Sequence, residues 1–236
     1  MGVVRILGKV LVRIMVLCAL GWGAWWWATR PESPIPPEWN PIAPLDVAEP
    51  RSLLTTYQLR RALASKRTCI AALETGASFR RLPPLVAGPR CGIDPRVELT
   101  RIGGVEVPPL ETTCATALRL AMWERHALRP AATAAFGRPV IGLRHQGSYN
   151  CRTIRNGARM SSHATAEAVD VRAIVLSDGR EVPLLANWTG AGPEARFWRA
   201  ARDGACDWFV TVLGPAYDDL HADHLHMQTR GWGLCR

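Results

Sequence analysis

Apolar residues recur at helical spacing in two stretches of the chain. Residues 52 to 65, SLLTTYQLRRALAS, and residues 112 to 128, TTCATALRLAMWERHAL, carry apolar side chains three and four positions apart, which predicts two amphipathic helices. Either Thr112 or Thr113 is placed to cap the second helix, because a hydroxyl there accepts a hydrogen bond from the first turn. A third helix is predicted from Pro193 onward, since proline is favoured in the first helical turn.

β-branched and alternating runs predict strands, mostly in the second half of the chain. The segment VELTRIGGVEV predicts a hairpin around its Gly-Gly pair. Further strands are predicted in RPVIGLRH, AVDVRAIVL, REVPLL and HLHMQT, and a Ser-Asp-Gly turn joins the second of these to the third. Helices followed by a mainly antiparallel sheet indicate an α+β fold, with helices first and the sheet in the second half.

The amino-terminal region has the pattern of a membrane anchor. Residues 10 to 28, VLVRIMVLCALGWGAWWWA, are almost all apolar, and about 20 such residues suffice for a helix to cross a bilayer. Basic residues at its start and three tryptophans at its end predict a single-pass inner-membrane helix, with residues 1 to 9 in the cytoplasm. A cleaved signal peptide is the alternative, although the exit WWWATRPES lacks a clear small-x-small cleavage site.

The chain after the anchor divides into a spacer and a domain. Residues 29 to 50 are rich in proline and predict a semi-rigid spacer that holds the domain away from the membrane. Residues 51 to 236 show no second break in composition and no internal repeat, so one folded domain is expected in the periplasm.

The cysteines of this domain predict disulfide bonds. There is no CxxC pair among them, whereas thiolate zinc sites usually contain such pairs, so three disulfides in an oxidising compartment are favoured over buried free thiols. The pairing stays open, with Cys69 and Cys91 as the preferred pair. The six residues are Cys69, Cys91, Cys114, Cys151, Cys206 and Cys235.

The net charge of the chain indicates which kinds of partner it could bind. The formal net charge is +9, and arginine supplies almost all of the positive charge. Nucleic acid is not an expected partner outside the cytoplasm, so the positive field indicates an anionic partner in the cell envelope. A genome that favours arginine codons is an equally simple explanation of this composition.

Two clusters of polar residues predict a metal site. In the strand HLHMQT, His224 and His226 are two positions apart and therefore point to the same face. In SSHATAEAVDV, His163 precedes Asp170, a carboxylate at the entrance of an apolar strand that is costly to bury without a compensating positive group. His163, Asp170 and His226 together offer two nitrogens and one oxygen, a ligand set that suits zinc and leaves a position for water.

The first cluster resembles a known signature. SSHATAEAVDV is similar to the Ser-x-His-x-x-Gly-x-Ala-x-Asp motif of the zinc D-Ala-D-Ala carboxypeptidases: Ser161, His163, Ala168 and Asp170 match, and Ala166 stands where that family has glycine. The His-x-His sequence resembles the second metal motif of the murein endopeptidases and lysostaphin-type peptidases. In those proteins the last histidine is the third metal ligand.

A longer resemblance covers almost all of the predicted domain. The segments GSYNCR, SSHATAEAVDV, DGREV, VLGPAYDDLHADHLHMQ and the terminal CR are similar to the bacterial extensin-like C-terminal domain family. This resemblance implies a disulfide-bonded domain with the metal-site pattern and with the fold shared by zinc D-Ala-D-Ala peptidases and hedgehog proteins.

The resemblances also suggest roles for neighbouring polar residues. The general base is either Asp223, where the carboxypeptidases have glutamate, or His224, which is favoured because imidazole titrates near neutrality and Asp223 would have to reach farther. Arg152 has a place similar to that of a substrate-binding arginine, and a guanidinium binds carboxylates and oxyanions well. Ser161 and His221 are predicted to contact substrate, and an ordinary surface histidine is the alternative for His221.

The sequence therefore predicts a membrane-anchored zinc peptidase that hydrolyses peptide bonds in peptidoglycan. The alternative is a peptidoglycan-binding or scaffold module that retains the metal site without turnover, which the changes at Asp223 and Ala166 favour. A third hypothesis is a structural wall protein that is held by disulfides and binds no metal. The pattern specifies neither the bond that is cleaved nor an oligomeric state.

Overall fold

The computed structural model describes residues 2–30, 33–155 and 157–236. The chain forms two compact units, one made of Met1–Leu45 with Glu49–Arg61 and the other of Asp46–Ala48 with Ala62–Arg236. The start of the folded domain at residue 51 stays a prediction.

The first unit contains the apolar helix and most of the proline-rich segment. Helix α1 spans Gly2–Thr29, and its part from Arg5 to Thr29 is long and apolar enough to cross a membrane. A membrane anchor and a signal sequence both fit such a helix. Helix α2, Thr55–Ala62, lies inside the range predicted for it. The Gln58 side chain of α2 donates hydrogen bonds to the carbonyl oxygens of Pro37, at 2.9 Å, and Asn40, at 3.1 Å, so this part of the spacer is folded.

The second unit alternates helices and strands. Its helices are α3 Lys66–Glu74, α4 Cys114–Trp123, α5 Arg129–Phe136, α6 Leu184–Asn187 and α7 Pro193–Ala205. The strands that precede α4 are β1 Ala77–Arg81, β2 Leu85–Gly88, β3 Cys91–Ile93, β4 Arg96–Ile102 and β5 Val105–Thr113. The strands that follow it are β6 Val140–Gly147, β7 Ala168–Leu176, β8 Glu181–Pro183, β9 Thr211–Leu213 and β10 Leu225–Gln228.

One large mixed sheet organises this unit. Its strand order is β1-β4-β5-β6-β7-β10-β9, with β8 paired to β7, and β2 and β3 form a separate small ribbon. The pairing of β5 with β6 is parallel and the other pairings of the large sheet are antiparallel. The predicted α+β class is confirmed. The predicted order of helices first and sheet second is wrong, because three strands of the large sheet come before α4. One of them, the edge strand β1, is polar and has no alternating apolar pattern from which a strand could be predicted.

The predicted hairpin and the helix after it are both present. Strands β4 and β5 pair around the two glycines, and Gly103 has a φ of +52° that glycine adopts without strain. The Thr113 hydroxyl caps α4 by accepting a hydrogen bond from the Thr116 amide. A π-helical turn, Glu124–Leu128, joins α4 to α5, and the buried Glu124 carboxylate accepts two hydrogen bonds from Arg129 at 2.9 and 3.0 Å.

Three disulfides close the second unit, as the cysteine count predicts. They join Cys69 to Cys114, Cys91 to Cys151 and Cys206 to Cys235. The preferred pair Cys69–Cys91 is therefore wrong. Helix α3 packs against α4, which brings Cys69 to the first residue of α4 with a Cα–Cα distance of 6.2 Å, and neither helix position can be read from sequence spacing.

Large aromatic side chains fill the core beside the sheet. Trp123, Phe197 and Trp198 are fully buried, and the Trp123 indole donates a hydrogen bond of 2.8 Å to the Ala201 carbonyl, which links α4 to α7. Trp232, by contrast, is 89% exposed and is not part of this core.

Candidate metal centre

Two strands in the large sheet bring Asp170 and His226 together. Asp170 on β7 lies directly opposite His226 on the antiparallel strand β10. Side chains opposite one another on one face of a sheet are within contact distance. The distance from His226 Nδ1 to Asp170 Oδ1 is accordingly 2.8 Å.

His163 reaches the same point from a short 3-10 turn, Ser162–Thr165, that immediately precedes β7. The Ser161 hydroxyl caps this turn by accepting a hydrogen bond of 3.3 Å from the His163 amide. The Nε2 atom of His163 then lies 3.2 Å from Asp170 Oδ2 and 3.1 Å from His226 Nδ1. Residues predicted from two distant motifs thus meet at one place.

The spacing of these donor atoms fits a zinc ion. In a tetrahedral site with ligands at 2.0 to 2.1 Å, neighbouring donor atoms are about 3.3 Å apart. The distances among His163, Asp170 and His226 are 2.8, 3.1 and 3.2 Å. One divalent ion between them would need only small shifts of the side chains, and the residues present therefore fit the zinc that the motifs imply.

Hydrogen bonds on the outer side of each ring select the atom that faces this centre. His163 Nδ1 lies 2.9 Å from the carbonyl oxygen of Ser148, so in the neutral ring Nδ1 carries the proton and Nε2 has the lone pair that a metal would use. His226 Nε2 lies 3.1 Å from Gln228 Oε1, which also accepts a hydrogen bond of 2.6 Å from the Ser162 hydroxyl. Such outer partners fix the tautomer and orientation of metal-binding histidines.

The electrostatics of the centre favour a cation. Burial alone would raise the pKa of Asp170, but the contacts with the His163 and His226 rings, which donate hydrogen bonds to the carboxylate when they are protonated, outweigh it and hold this pKa well below its usual range. Burial would likewise lower the pKa of His163, yet the contact with Asp170 raises it. The carboxylate is therefore ionised at neutral pH and offers a negative charge with little access to solvent.

Both predicted candidates for the general base lie beside the centre, and they contact one another. His224 Nε2 is 3.7 Å from Asp170 Oδ1, and His224 Nδ1 is 2.7 Å from Asp223 Oδ1. The other Asp223 oxygen accepts a hydrogen bond of 2.9 Å from Gln146. The hydrogen bond with His224 is the main reason that the pKa of Asp223 lies below its usual value. Asp223 thus faces the outer edge of the imidazole, and His224 faces the centre.

His221 packs inside the cluster. Its ring centroid is 5.6 Å from that of Tyr217 and 5.3 Å from that of His224. Its Nδ1 atom lies 2.5 Å from Asp218 Oδ1. Burial lowers the pKa of His221, and Asp218 opposes this effect only in part.

Arg152 and Ser161 belong to the segment that leads into the turn carrying His163. Arg152 is exposed, its positive charge acts to lower the pKa of His163, and its carbonyl oxygen accepts a hydrogen bond of 3.0 Å from the Ser161 amide. Ser161 is buried, and its hydroxyl serves as the cap of the turn. Contact of either residue with substrate stays a prediction.

Sequence reasoning missed Ser148 and Gln228, the partners that orient the two metal-facing histidines. Gln228 gives a usable signal, because it is two positions after His226 on the same strand and must share its face. Ser148 acts through its backbone carbonyl, and every residue has a carbonyl, so no sequence pattern distinguishes it.

Ala166, where the carboxypeptidases have glycine, does have the backbone conformation that favours glycine. Its φ is +50°, and it ends the turn that carries His163. Its carbonyl oxygen lies 3.1 Å from the Thr112 hydroxyl, 2.9 Å from that of Thr116 and 3.3 Å from that of Ser148. These buried hydroxyls hold the left-handed residue in place, so the alanine preserves the turn.

We expect glycine to be tolerated at Ala166 but not at Ala164 in the same turn. Both residues are fully buried and both changes remove one methyl group, but only Ala166 has a positive φ. Glycine at Ala166 relieves the strain of the left-handed conformation, about 1 kcal/mol, and this gain offsets the stability that is lost with the methyl group. At Ala164 there is no such gain. Urea unfolding should show Ala164→Gly to be less stable than Ala166→Gly by about 1 kcal/mol or more. Equal losses would contradict this account of the turn.

Searches of curated proteins and of solved structures find no significant match to the chain. A family profile described as "Extensin-like protein C-terminus" matches residues 67–236, which include the three disulfides and every residue of the candidate centre. With this match over most of its length, the chain belongs to the extensin-like protein C-terminus family.

Proposed function

We propose that this protein is a zinc-dependent peptidase that hydrolyses peptide bonds in peptidoglycan. The observation that carries the proposal is the convergence of His163 Nε2, the Asp170 carboxylate and His226 Nδ1 within 2.8 to 3.2 Å of one another. His163, Asp170 and His226 would hold the ion. When bound, zinc would supply a Lewis acid that acidifies water and polarises a carbonyl group.

In this proposal His224 accepts the proton of the attacking water. Its Nε2 atom faces the centre at 3.7 Å from Asp170 Oδ1, and Asp223 holds the proton on Nδ1. A base must lie within direct or water-mediated hydrogen-bonding distance of the proton that it takes. Asp223 is turned toward His224 and Gln146, so it acts as the residue that orients the base.

Two further residues would act on the substrate. The Arg152 guanidinium is exposed and lies within electrostatic range of His163, so it can bind a substrate carboxylate or the developing oxyanion. His221 lies against His224 and presents Nε2, because Asp218 occupies Nδ1. It would line the cleft and donate or accept a hydrogen bond there.

The proposed location is the periplasm, with α1 as a single-pass anchor in the inner membrane. Arg5, Lys9 and Arg13 lie toward the start of this helix, which matches the excess of basic residues on the cytoplasmic side of anchors. The three disulfides are consistent with an oxidising compartment on the other side.

Replacement of the two base candidates tests the mechanism. We expect His224→Gln to lower kcat on isolated murein about 10²- to 10⁴-fold, the usual loss when a general base is removed, while the zinc held by His163, Asp170 and His226 is retained. Asp223→Asn should lose only about tenfold to a hundredfold, because it removes an orienting partner. Released muropeptides are quantified by mass spectrometry, with zinc measured in each sample.

The outcomes separate the alternatives. A larger loss with Asp223→Asn than with His224→Gln would make Asp223 the base. Retention on murein by a zinc-loaded wild-type protein that releases no new fragments would favour the binding module and overturn the proposed peptidase.

A further inference from the structure

The cluster contains more histidine than one zinc ion requires. One ring nitrogen from each of His221, His224 and His226 lies within 4.8 Å of the others. We propose that His221 and His224 form a second, weaker zinc site beside the first, and that zinc bound there inhibits the protein.

Both histidines are oriented as metal ligands. A carboxylate binds the Nδ1 atom of each ring, Asp218 for His221 at 2.5 Å and Asp223 for His224 at 2.7 Å. In the neutral rings the lone pair is therefore on Nε2. This carboxylate–histidine arrangement is the usual outer partner of a zinc ligand.

The third ligand of the second site is Asp170. His226 is committed, because Nδ1 faces the first site and Nε2 contacts Gln228. Asp170 Oδ1 lies 3.7 Å from His224 Nε2, close to the separation of neighbouring donors on one ion. A carboxylate has two oxygens, each with lone pairs to spare, so Asp170 can bridge two ions.

The distances decide the order in which the two sites fill. Donor atoms of the first site are 2.8 to 3.2 Å apart and need little movement. In the second site, His224 Nε2 lies 3.7 Å from Asp170 Oδ1 and the ring nitrogens of His221 and His224 lie within 4.8 Å of each other, compared with about 3.3 Å between donors on one zinc ion, so its side chains have farther to move than those of the first site. The second site is therefore the weaker one. The carboxylates of Asp170, Asp218 and Asp223 offset the repulsion between two nearby cations.

Inhibition follows from the identity of one ligand. A His224 nitrogen that binds zinc has no lone pair left to accept a proton. This step rests on the proposed function, in which His224 is the base, whereas the cation site itself does not. Cleavage of murein should thus rise with the first equivalent of zinc and fall as the weaker site fills.

Zinc titration of the metal-free full-length protein in detergent tests the site. With a chromophoric chelator as competitor, we expect a tight and a weak class of site in the wild type. His221→Ala should lose the weak class and keep the tight one, and His163→Ala should do the reverse. Asp218→Asn, which leaves His221 in place, should weaken the weak class about tenfold to a hundredfold.

His145→Ala is the matched control. His145 lies outside the cluster on β6, and both of its ring nitrogens bond to backbone groups, the Pro108 carbonyl at 2.9 Å and the Gly147 amide at 3.1 Å. It should leave both classes unchanged.

A single class in the wild type would overturn the second site, and so would a weak class that survives His221→Ala or disappears equally in His145→Ala. These results are distinct from failure of the proposed peptidase. Two classes of zinc without any cleavage would reject the peptidase and leave the second site standing.

Discussion

Replacing His226 with alanine should abolish both tight zinc binding and murein cleavage. His226 provides one of the three donor atoms of the proposed site, and its removal leaves only those of His163 and Asp170. Loss of an outer partner of a metal ligand already costs about 10- to 100-fold in affinity or activity. Loss of a ligand and of the ion that it holds should therefore lower the rate of cleavage by more than loss of the base does, which is at most about 10⁴-fold. Cleavage should fall to the level of chelator-treated protein.

Zinc content and muropeptide release are measured on the same preparation, with His145→Ala as the control that keeps both. The fold is checked by thermal unfolding, since His226 is largely buried in β10. A His226→Ala protein that is folded, free of zinc and as active as the wild type would reject zinc catalysis. Equal zinc content in His226→Ala and in the wild type would reject the assignment of His226 as a ligand.

Among the three disulfides, removal of Cys91–Cys151 should cause the largest loss of stability, because it closes the longest loop. This bond joins residues 60 apart in sequence, and the chain-entropy relation gives about 4 kcal/mol for a loop of that length. For a domain of this size the double change Cys91→Ser with Cys151→Ser should lower the Tm by about 10 °C. Calorimetry of the oxidised proteins measures the shift.

The same bond should also influence the metal centre. Cys151 follows Ser148, whose carbonyl orients His163, by three residues. We therefore expect weaker zinc binding in the double variant. Cys18→Ser is the matched control, because Cys18 is an exposed free cysteine in α1 and its loss should change neither the Tm nor the zinc affinity. An unchanged Tm in the double variant would contradict the stabilising role.

Much of the local structure could be predicted from sequence because it depends on neighbours in the chain. The helix from Pro193, the hairpin around Gly103 and the strand that contains Asp170 are each specified by periodicity and turn residues within about a dozen positions. Polar strands could not be predicted in the same way. Strand β1, ASFRR, lies at a sheet edge with most of its side chains exposed, so burial imposes no pattern on it.

The candidate centre divides in the same way. His163, Asp170, His224 and His226 attract notice because ionisable residues interrupt apolar or strand-like sequence, which requires compensation. The partners of these residues did not attract notice. Gln146 is an ordinary polar residue on β6 until folding places it 2.9 Å from Asp223, 77 positions away in sequence.

By itself, the sequence determined the types of the elements that have clear periodicity, the apolar amino-terminal helix, the disulfide-bonded character and the residue types that could bind a metal. Only the tertiary structure decided which cysteines pair, that β7 and β10 are neighbours in register, and which nitrogen of each histidine faces the centre. The reason is physical. Periodicity and turn chemistry act over a few residues, whereas the packing of α3 on α4, the pairing of distant strands and the outer hydrogen bonds of an imidazole depend on contacts that form only when the whole domain has folded.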